Sequence, residues 1–216
     1  MSFSIPAMRQ KLAGLKGVMI DLETFDTEPT AAWYALAARE FVFGQDPGEP
    51  EIDADDAVFD VESPDFLLYV EPTVMLQHRQ FTTSESTLAW TREKNMIELE
   101  RAYAQGMDPF IAMSNFREWM LRVKPDYIVA NSPSFDCMKV HHTCNVLGIK
   151  RDFCHYQKEF DVRTLRTVLE ILGHPKYGPK ENTRLHSPLD DCTLQIRDLN
   201  RFFDVIEDGH MDATAE

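Results

Sequence analysis

Asp21 and Glu23 lie two residues apart in Gly17-Val18-Met19-Ile20-Asp21-Leu22-Glu23, a run that is otherwise apolar or glycine. Such a run reads as a buried strand. Alternation along it aims both carboxylates at one face, while Val18, Ile20 and Leu22 turn to the other. Two acids aimed together from an apolar strand repel each other and resist desolvation. A divalent cation held between them removes both penalties. Taken alone, the pair is better explained by a strand that ends at the surface with both acids in water.

Two further segments change that balance. His186-Ser187-Pro188-Leu189-Asp190-Asp191 opens a helix, because Leu189, Cys192, Ile196, Leu199, Phe203 and Ile206 keep a three-and-four spacing. Ser187 suits the N-cap, Pro188 the first helical position and Asp190 the capping-box position. His186 then precedes the cap and Asp191 is the fourth helical residue, the two places that a hydrophobic staple brings together. Here they hold an imidazole and a carboxylate, so a base and a metal ligand should lie side by side. Asn131-Ser132-Pro133-Ser134-Phe135-Asp136 follows the short apolar strand Tyr127–Ala130 and repeats the pattern, with Asp136 four residues after Ser132 as Asp191 is after Ser187. If both Ser-Pro pairs start helices, each acid lies at a helix N-terminus, where the dipole favours its ionised form. Ser134 as the cap of the middle helix is the alternative start and weakens the parallel.

The set resembles the DEDDh branch of the DnaQ-like 3′–5′ exonucleases, and within it the group of the T-even phage exonuclease A and the mycobacterial 3′–5′ exoribonucleases. The resemblance rests on Ile20-Asp21-Leu22-Glu23-Thr24, on Phe81-Thr82-Thr83-Ser84 leading to Trp90, on Pro133-Ser134-Phe135-Asp136, on Asp161-Val162-Arg163-Thr164 and on His186 through Cys192. These blocks run in order over nearly the whole chain. The resemblance implies a ribonuclease H-like α/β fold, a central mixed sheet flanked by helices. It also implies Asp21, Glu23, Asp136 and Asp191 as ligands of two metal ions, with His186 as general base. Substrate contacts are expected at Thr24, Phe25, Trp90, Ser134 and Arg163. Where relatives often carry two successive tryptophans, this chain has Trp90-Thr91, which puts a paired-tryptophan role in doubt.

The implied chemistry suits the residue types. Two divalent ions roughly 4 Å apart acidify the attacking water and stabilise the leaving oxygen of a phosphodiester. Hard cations choose carboxylate oxygen over thiolate or imidazole, so four acids point to Mg²⁺ or Mn²⁺ and away from zinc. A histidine near neutral pKa is suited to accept the water's proton. The expected reaction is removal of nucleoside 5′-monophosphates from the 3′ end of single-stranded DNA or RNA, with DNA slightly favoured. The alternatives are an exoribonuclease with the same chemistry and, less favoured, an inactive exonuclease fold used for binding.

Composition bounds this reading. The 216 residues, 44% hydrophobic, suit one domain over 1–208 with an acidic loop at 44–65 and a disordered tail at 209–216. Met1 to Lys16 has basic residues but no apolar run, so no signal peptide is expected, and no segment reaches a membrane span. Cys137, Cys144, Cys154 and Cys192 form no Cys-x-x-Cys pair and read as reduced core thiols of a cytoplasmic protein, in the host cytoplasm if phage-encoded. A net charge of −14 opposes phosphate binding, but ten acids lie in Asp46–Glu71 and five in Asp204–Glu216, leaving 21 acids against 22 bases elsewhere. The acidic loop offers a surface to a second copy or another protein.

The elements that position these residues are strands at about 17–23, 33–43 and 66–70 in an antiparallel meander, then helices at about 84–105 and 111–123. The strand at 127–130, a helix over 133–147 closed by Gly148, a strand near 153–156, a helix at 161–172 and the last helix complete the expectation. Trp33 is read chiefly as core, and His141-His142 as core or surface histidines. Asp161 with Arg163 fits an ion pair or a substrate contact. Lys176, Lys180 and Arg184 read chiefly as solvated loop residues.

Overall fold

Apolar residues on both faces of a strand demand cover on both sides. β1 (Lys16–Thr24) has it, with Val18, Met19 and Ile20 all buried. The structure, a computed structural model, describes residues 11–52, 59–153, 155–174 and 187–212. β1 is central in a five-stranded sheet of order β3-β2-β1-β4-β5. β2 (Trp33–Val42) and β3 (Asp65–Tyr69) form the expected antiparallel meander with it. β4 (Tyr127–Ala130) and β5 (Glu159–Asp161) run parallel on its other side.

Among the described residues five α-helices lie between strands, α1 (Pro72–Met75), α2 (Glu85–Lys94), α3 (Met96–Gln105), α4 (Pro109–Val123) and α5 (Asp136–Leu147), and two follow β5, α6 (Val162–Ile171) and α7 (Pro188–Asp212). The expected helix over 84–105 is broken in two, because Asn95 leaves helical geometry at φ −136° and puts its side chain on the Tyr34 hydroxyl. α4 begins at Pro109, since Asp108 caps it through the Phe110 N–H. α5 begins at Asp136, later than the Pro133 start. Gly148 closes it at φ 70°, as read. The strand placed near 153–156 lies instead at β5, after a 3₁₀ turn at Tyr156–Lys158. α7 continues past Asp208 to Asp212. Cys137, Cys144 and Cys192 are free and buried, and Cys154 lies outside the described residues. No helix among the described residues is long and apolar enough to cross a membrane.

The described start of the acidic loop is tied to the core by one buried guanidinium. Arg39 on β2 is 3% exposed and pairs through Nε with Asp65 (2.6 Å). Its remaining nitrogens donate to the Pro47, Gly48 and Glu49 carbonyls and to Thr193 Oγ1 on α7. Asp65 in turn accepts the Glu51 N–H at 2.6 Å. Arg39→Leu strands the Asp65 carboxylate in the core, so unfolding free energy should fall by about 3–5 kcal/mol in urea melts. A loss inside the roughly 1 kcal/mol of a surface pair would contradict this account.

Candidate active site

Antiparallel pairing puts Asp21 opposite Ala37 and Glu23 opposite Ala35, on the same face. Both alanines are fully buried and too small to fill the space beside the acids. α7 packs across β1 and β2 on this face, and the Cys192 thiol reaches the Met19 carbonyl at 3.8 Å. The first turn of α7 therefore arrives at the end of β1. There the Asp191 N–H donates to the Ser187 carbonyl (2.9 Å). One oxygen from each of Asp21, Glu23 and Asp191 lies within 4.8 Å of the others.

Holding three carboxylates this close out of water shifts their protonation. Burial raises the Asp21 pKa to about 6, against a Gln195 hydrogen bond (2.9 Å to Oδ1) and the Arg166 charge, which lower it. Burial, then the charges of Asp21 and Asp191, raise Glu23 well above the ordinary range. Burial, then the charges of Asp21 and Asp190, raise Asp191 to about 8. A cation set among them would relieve all three.

Asp136 joins this group by charge and by a different contact. It is 2% exposed, and its Oδ1 accepts the Leu22 N–H at 3.2 Å. Burial, then the Asp21 charge, raise its pKa, against Lys139, that backbone bond and Arg163. The parallel with Asp191 survives in the backbone, since the Asp136 N–H donates to the Ser132 carbonyl at 3.0 Å. The cap is neither Ser132 nor Ser134 but Phe135, without a side-chain bond, so Asp136 is the first residue of α5. Lys139, fully buried one turn later, donates to the Phe135 (3.2 Å) and Thr27 (3.4 Å) carbonyls with its ammonium over the Phe135 ring. Burial lowers its pKa to about 8.

The acids open into a cleft of about 390 Å³ lined also by Leu22, Thr24, Thr27, Ser86, Thr87, Trp90 and Phe135. Of the expected substrate contacts, Thr24 and Trp90 line it, and Trp90 is 41% exposed. Phe25 does not, because its ring is buried and packs on Tyr34 (centroids 4.9 Å apart). Ser134 sits outside the lining and shares a hydrogen bond with Ser132. The Arg163 guanidinium reaches the Asn131 carbonyl (2.9 Å), while Asp161 caps α6 through the Arg163 N–H and the Thr164 hydroxyl. Trp33 is core, its indole N–H on Thr143. His141 faces Glu159 and His142 the Gln80 carbonyl. His186, Lys176, Lys180 and Arg184 lie outside the described residues.

Gln195, Arg166, Lys139, Thr27, Ser86, Thr87 and Phe135 were not singled out from sequence. Gln195 was within reach of that reading, since it stands one helical turn after Asp191 on the same face. Arg166 had no local signal: it acts across α6 and α7 by pairing with Asp198. The all-oxygen donor set fits a hard divalent cation. So does the buried Gln195 Oε1, which has no hydrogen-bond partner among the described residues.

Comparison with known proteins bears on the fold and the family. Product-bound exonuclease I superposes with a TM-score of 0.54 at 12% identity, over 89% of this chain and 46% of that one. Zinc-bound E. coli exonuclease I in complex with single-stranded DNA gives 0.56 at 14% identity, over 89% and 42%. E. coli exonuclease I with a dA13 oligonucleotide gives 0.55 at 15% identity, over 88% and 42%. The chain thus spans less than half the length of these exonuclease I chains, and at such identities the likeness establishes the ribonuclease H-like fold. No curated protein matches. Residues 16–202 match the family model of the 3′–5′ exoribonuclease Rv2179c-like domain. The chain therefore belongs to the family described as the 3′–5′ exoribonuclease Rv2179c-like domain.

Proposed function

We propose that the enzyme trims single-stranded RNA from its 3′ end and releases nucleoside 5′-monophosphates with two Mg²⁺ or Mn²⁺ ions. Asp21, Glu23 and Asp191 would hold the first ion, and Asp21 with Asp136 the second. The observation that carries this is the triad of carboxylate oxygens within 4.8 Å of one another at the head of a cleft walled by Trp90. When bound, such ions acidify the attacking water, neutralise the phosphate and stabilise the leaving oxygen.

The protein's own groups supply the rest. Trp90 and Phe135 offer aromatic faces to the terminal base. Gln195 orients Asp21 through its amide, and Arg166 tempers the charge on Asp21 and Asp191. His186, one residue before Ser187, takes the proton of the attacking water. Thr24, Thr27, Ser86 and Thr87 line the cleft beside these acids. Hydroxyl-bearing residues in the lining, some already bonded within the protein, suit a sugar bearing a 2′-OH. That, with the family's description as exoribonucleases, favours RNA over the DNA preferred on sequence alone. DNA is the second reading, because related folds are solved with single-stranded DNA.

Matched RNA and DNA oligomers, labelled at the 5′ end and incubated with Mg²⁺ or Mn²⁺, test the substrate. RNA should shorten one nucleotide at a time at least tenfold faster, and a 3′-phosphate should block it. Equal or faster loss of DNA would reverse the assignment, and internal fragments would refute exonuclease action.

Stability tests the metal site independently of activity. The folded protein holds protons on these carboxyls more tightly than the unfolded chain. Their stabilising contribution is therefore full below the ordinary carboxylate range near pH 4 and is lost as pH rises through about 6 at Asp21 and about 8 at Asp191. Without divalent ions, Tm should fall from pH 5 to 9. Mg²⁺ or Mn²⁺ at about a hundredfold over Kd should return roughly 5–10 °C at the alkaline end and little at the acid end. His186→Ala should keep that shift while turnover drops by about two to four orders of magnitude. A shift independent of pH, or lost in His186→Ala, would contradict these roles.

A further inference from the structure

The far end of the sheet carries a second cleft, of about 490 Å³, formed by the end of α4 and the segment leading to the Tyr156–Lys158 turn. It lies by the first residue of β1, whose Lys16 N–H donates to the lining Asp126 (3.0 Å), while Asp21 and Glu23 sit at the other end of that strand. Met120, Leu121 and Phe153 contribute apolar lining, and Lys124, Arg151 and Lys158 contribute charge. Among the described residues these three cations have no carboxylate partner. The other carboxylate in the lining, Asp152, is already held by Arg117 (2.7 Å) and Lys150 (3.1 Å). Beside the cleft Tyr156, 70% exposed, stacks on His155 with centroids 4.8 Å apart and planes at 28°.

Scattered surface lysines need no explanation, but here three cations without a salt-bridge partner among the described residues line one concavity and outnumber its two carboxylates, of which Asp152 is already paired, in a chain of net charge −14. They create a local positive potential against the overall repulsion of polyanions. Cations to take phosphates, next to an exposed aromatic face to take a base, are what single-stranded nucleic acid requires. An acidic peptide would use the cations and the apolar lining but leave the Tyr156 face unused. The geometry points to this cleft as an exosite for the 5′-proximal part of the strand whose 3′ end enters the carboxylate cleft. This rests on the exonuclease reading above. The nine residues of β1 span about 30 Å, roughly nine stacked nucleotides at about 3.4 Å each.

The test compares strands of about four and about sixteen nucleotides, lengths that bracket this span and fall within ordinary single-strand site sizes. Affinity is read by fluorescence anisotropy in EDTA, and kcat/KM on the short strand with Mn²⁺. In Lys124→Gln/Arg151→Gln/Lys158→Gln, the long-strand Kd should rise about tenfold or more. The slope of log Kd against log salt should drop by about two, as expected for three lost phosphate contacts. Tyr156→Ala alone should weaken the long strand by at least threefold. In both variants short-strand kcat/KM should stay within twofold of wild type, with unchanged Tm. Unchanged long-strand affinity, or equal weakening of both lengths, would overturn the exosite. Loss of binding to an aspartate-rich peptide with oligomer affinity intact would overturn it in favour of a protein partner. Because binding is read without catalysis, a wild type that hydrolysed neither strand would count against the exonuclease reading and leave the exosite readout standing.

Discussion

Asp21, Glu23 and Asp191 are kept close together and largely out of water, and their mutual repulsion is the constraint around which the domain is arranged. Burial alone pushes each carboxyl toward its neutral form, and each neighbour's charge pushes Glu23 and Asp191 further. A fold that only needed stability would place apolar side chains here. This one sets alanines opposite both strand acids and brings a helix start against them. A cation bound among these carboxylates would relieve the repulsion that otherwise favours their protonation.

Such a site needs α7 held firmly, because small shifts of Asp191 change its distances to both Asp21 and Glu23. Two arginines hold it from different elements. Arg39 on β2 reaches Thr193, and Arg166 on α6 pairs with the buried Asp198. Arg39 also binds the start of the acidic loop, and Arg197 on α7 adds Glu49 (2.9 Å). The described start of that loop is thus anchored to the same helix that carries Asp191, so its charge is spent partly within the domain.

Local periodicity made much of this legible from sequence. Alternation in Gly17–Glu23 assigned the faces of Asp21 and Glu23, and the three-and-four spacing after Pro188 placed Asp191 at the head of a long helix. Phe25 failed as a stacking residue for a reason that periodicity cannot carry. The β1–β2 register shifts between Glu23 and Thr24, leaving Tyr34 as the extra residue on β2, and the Phe25 ring packs on that Tyr34 in the core. Asp136 lies beside β1 through the Leu22 N–H, but its helix starts at an unconventional cap, so the repeated Ser-Pro pattern overstates the likeness to Asp191. Gln195 was recoverable from helical spacing. The places of Arg166, Lys139, Thr27, Ser86 and Thr87 are products of long-range packing, with no signal in their own neighbourhoods.

Diffraction from crystals grown with Mn²⁺ and a nucleoside 5′-monophosphate, phased at the manganese edge, examines the central claim most directly. The account predicts an anomalous peak within coordination distance of Asp21, Glu23 and Asp191, near 2.1 Å from their oxygens as for other hard cations. The nucleotide base should lie against Trp90. A peak elsewhere, or carboxylates that remain unligated at saturating Mn²⁺, would contradict it.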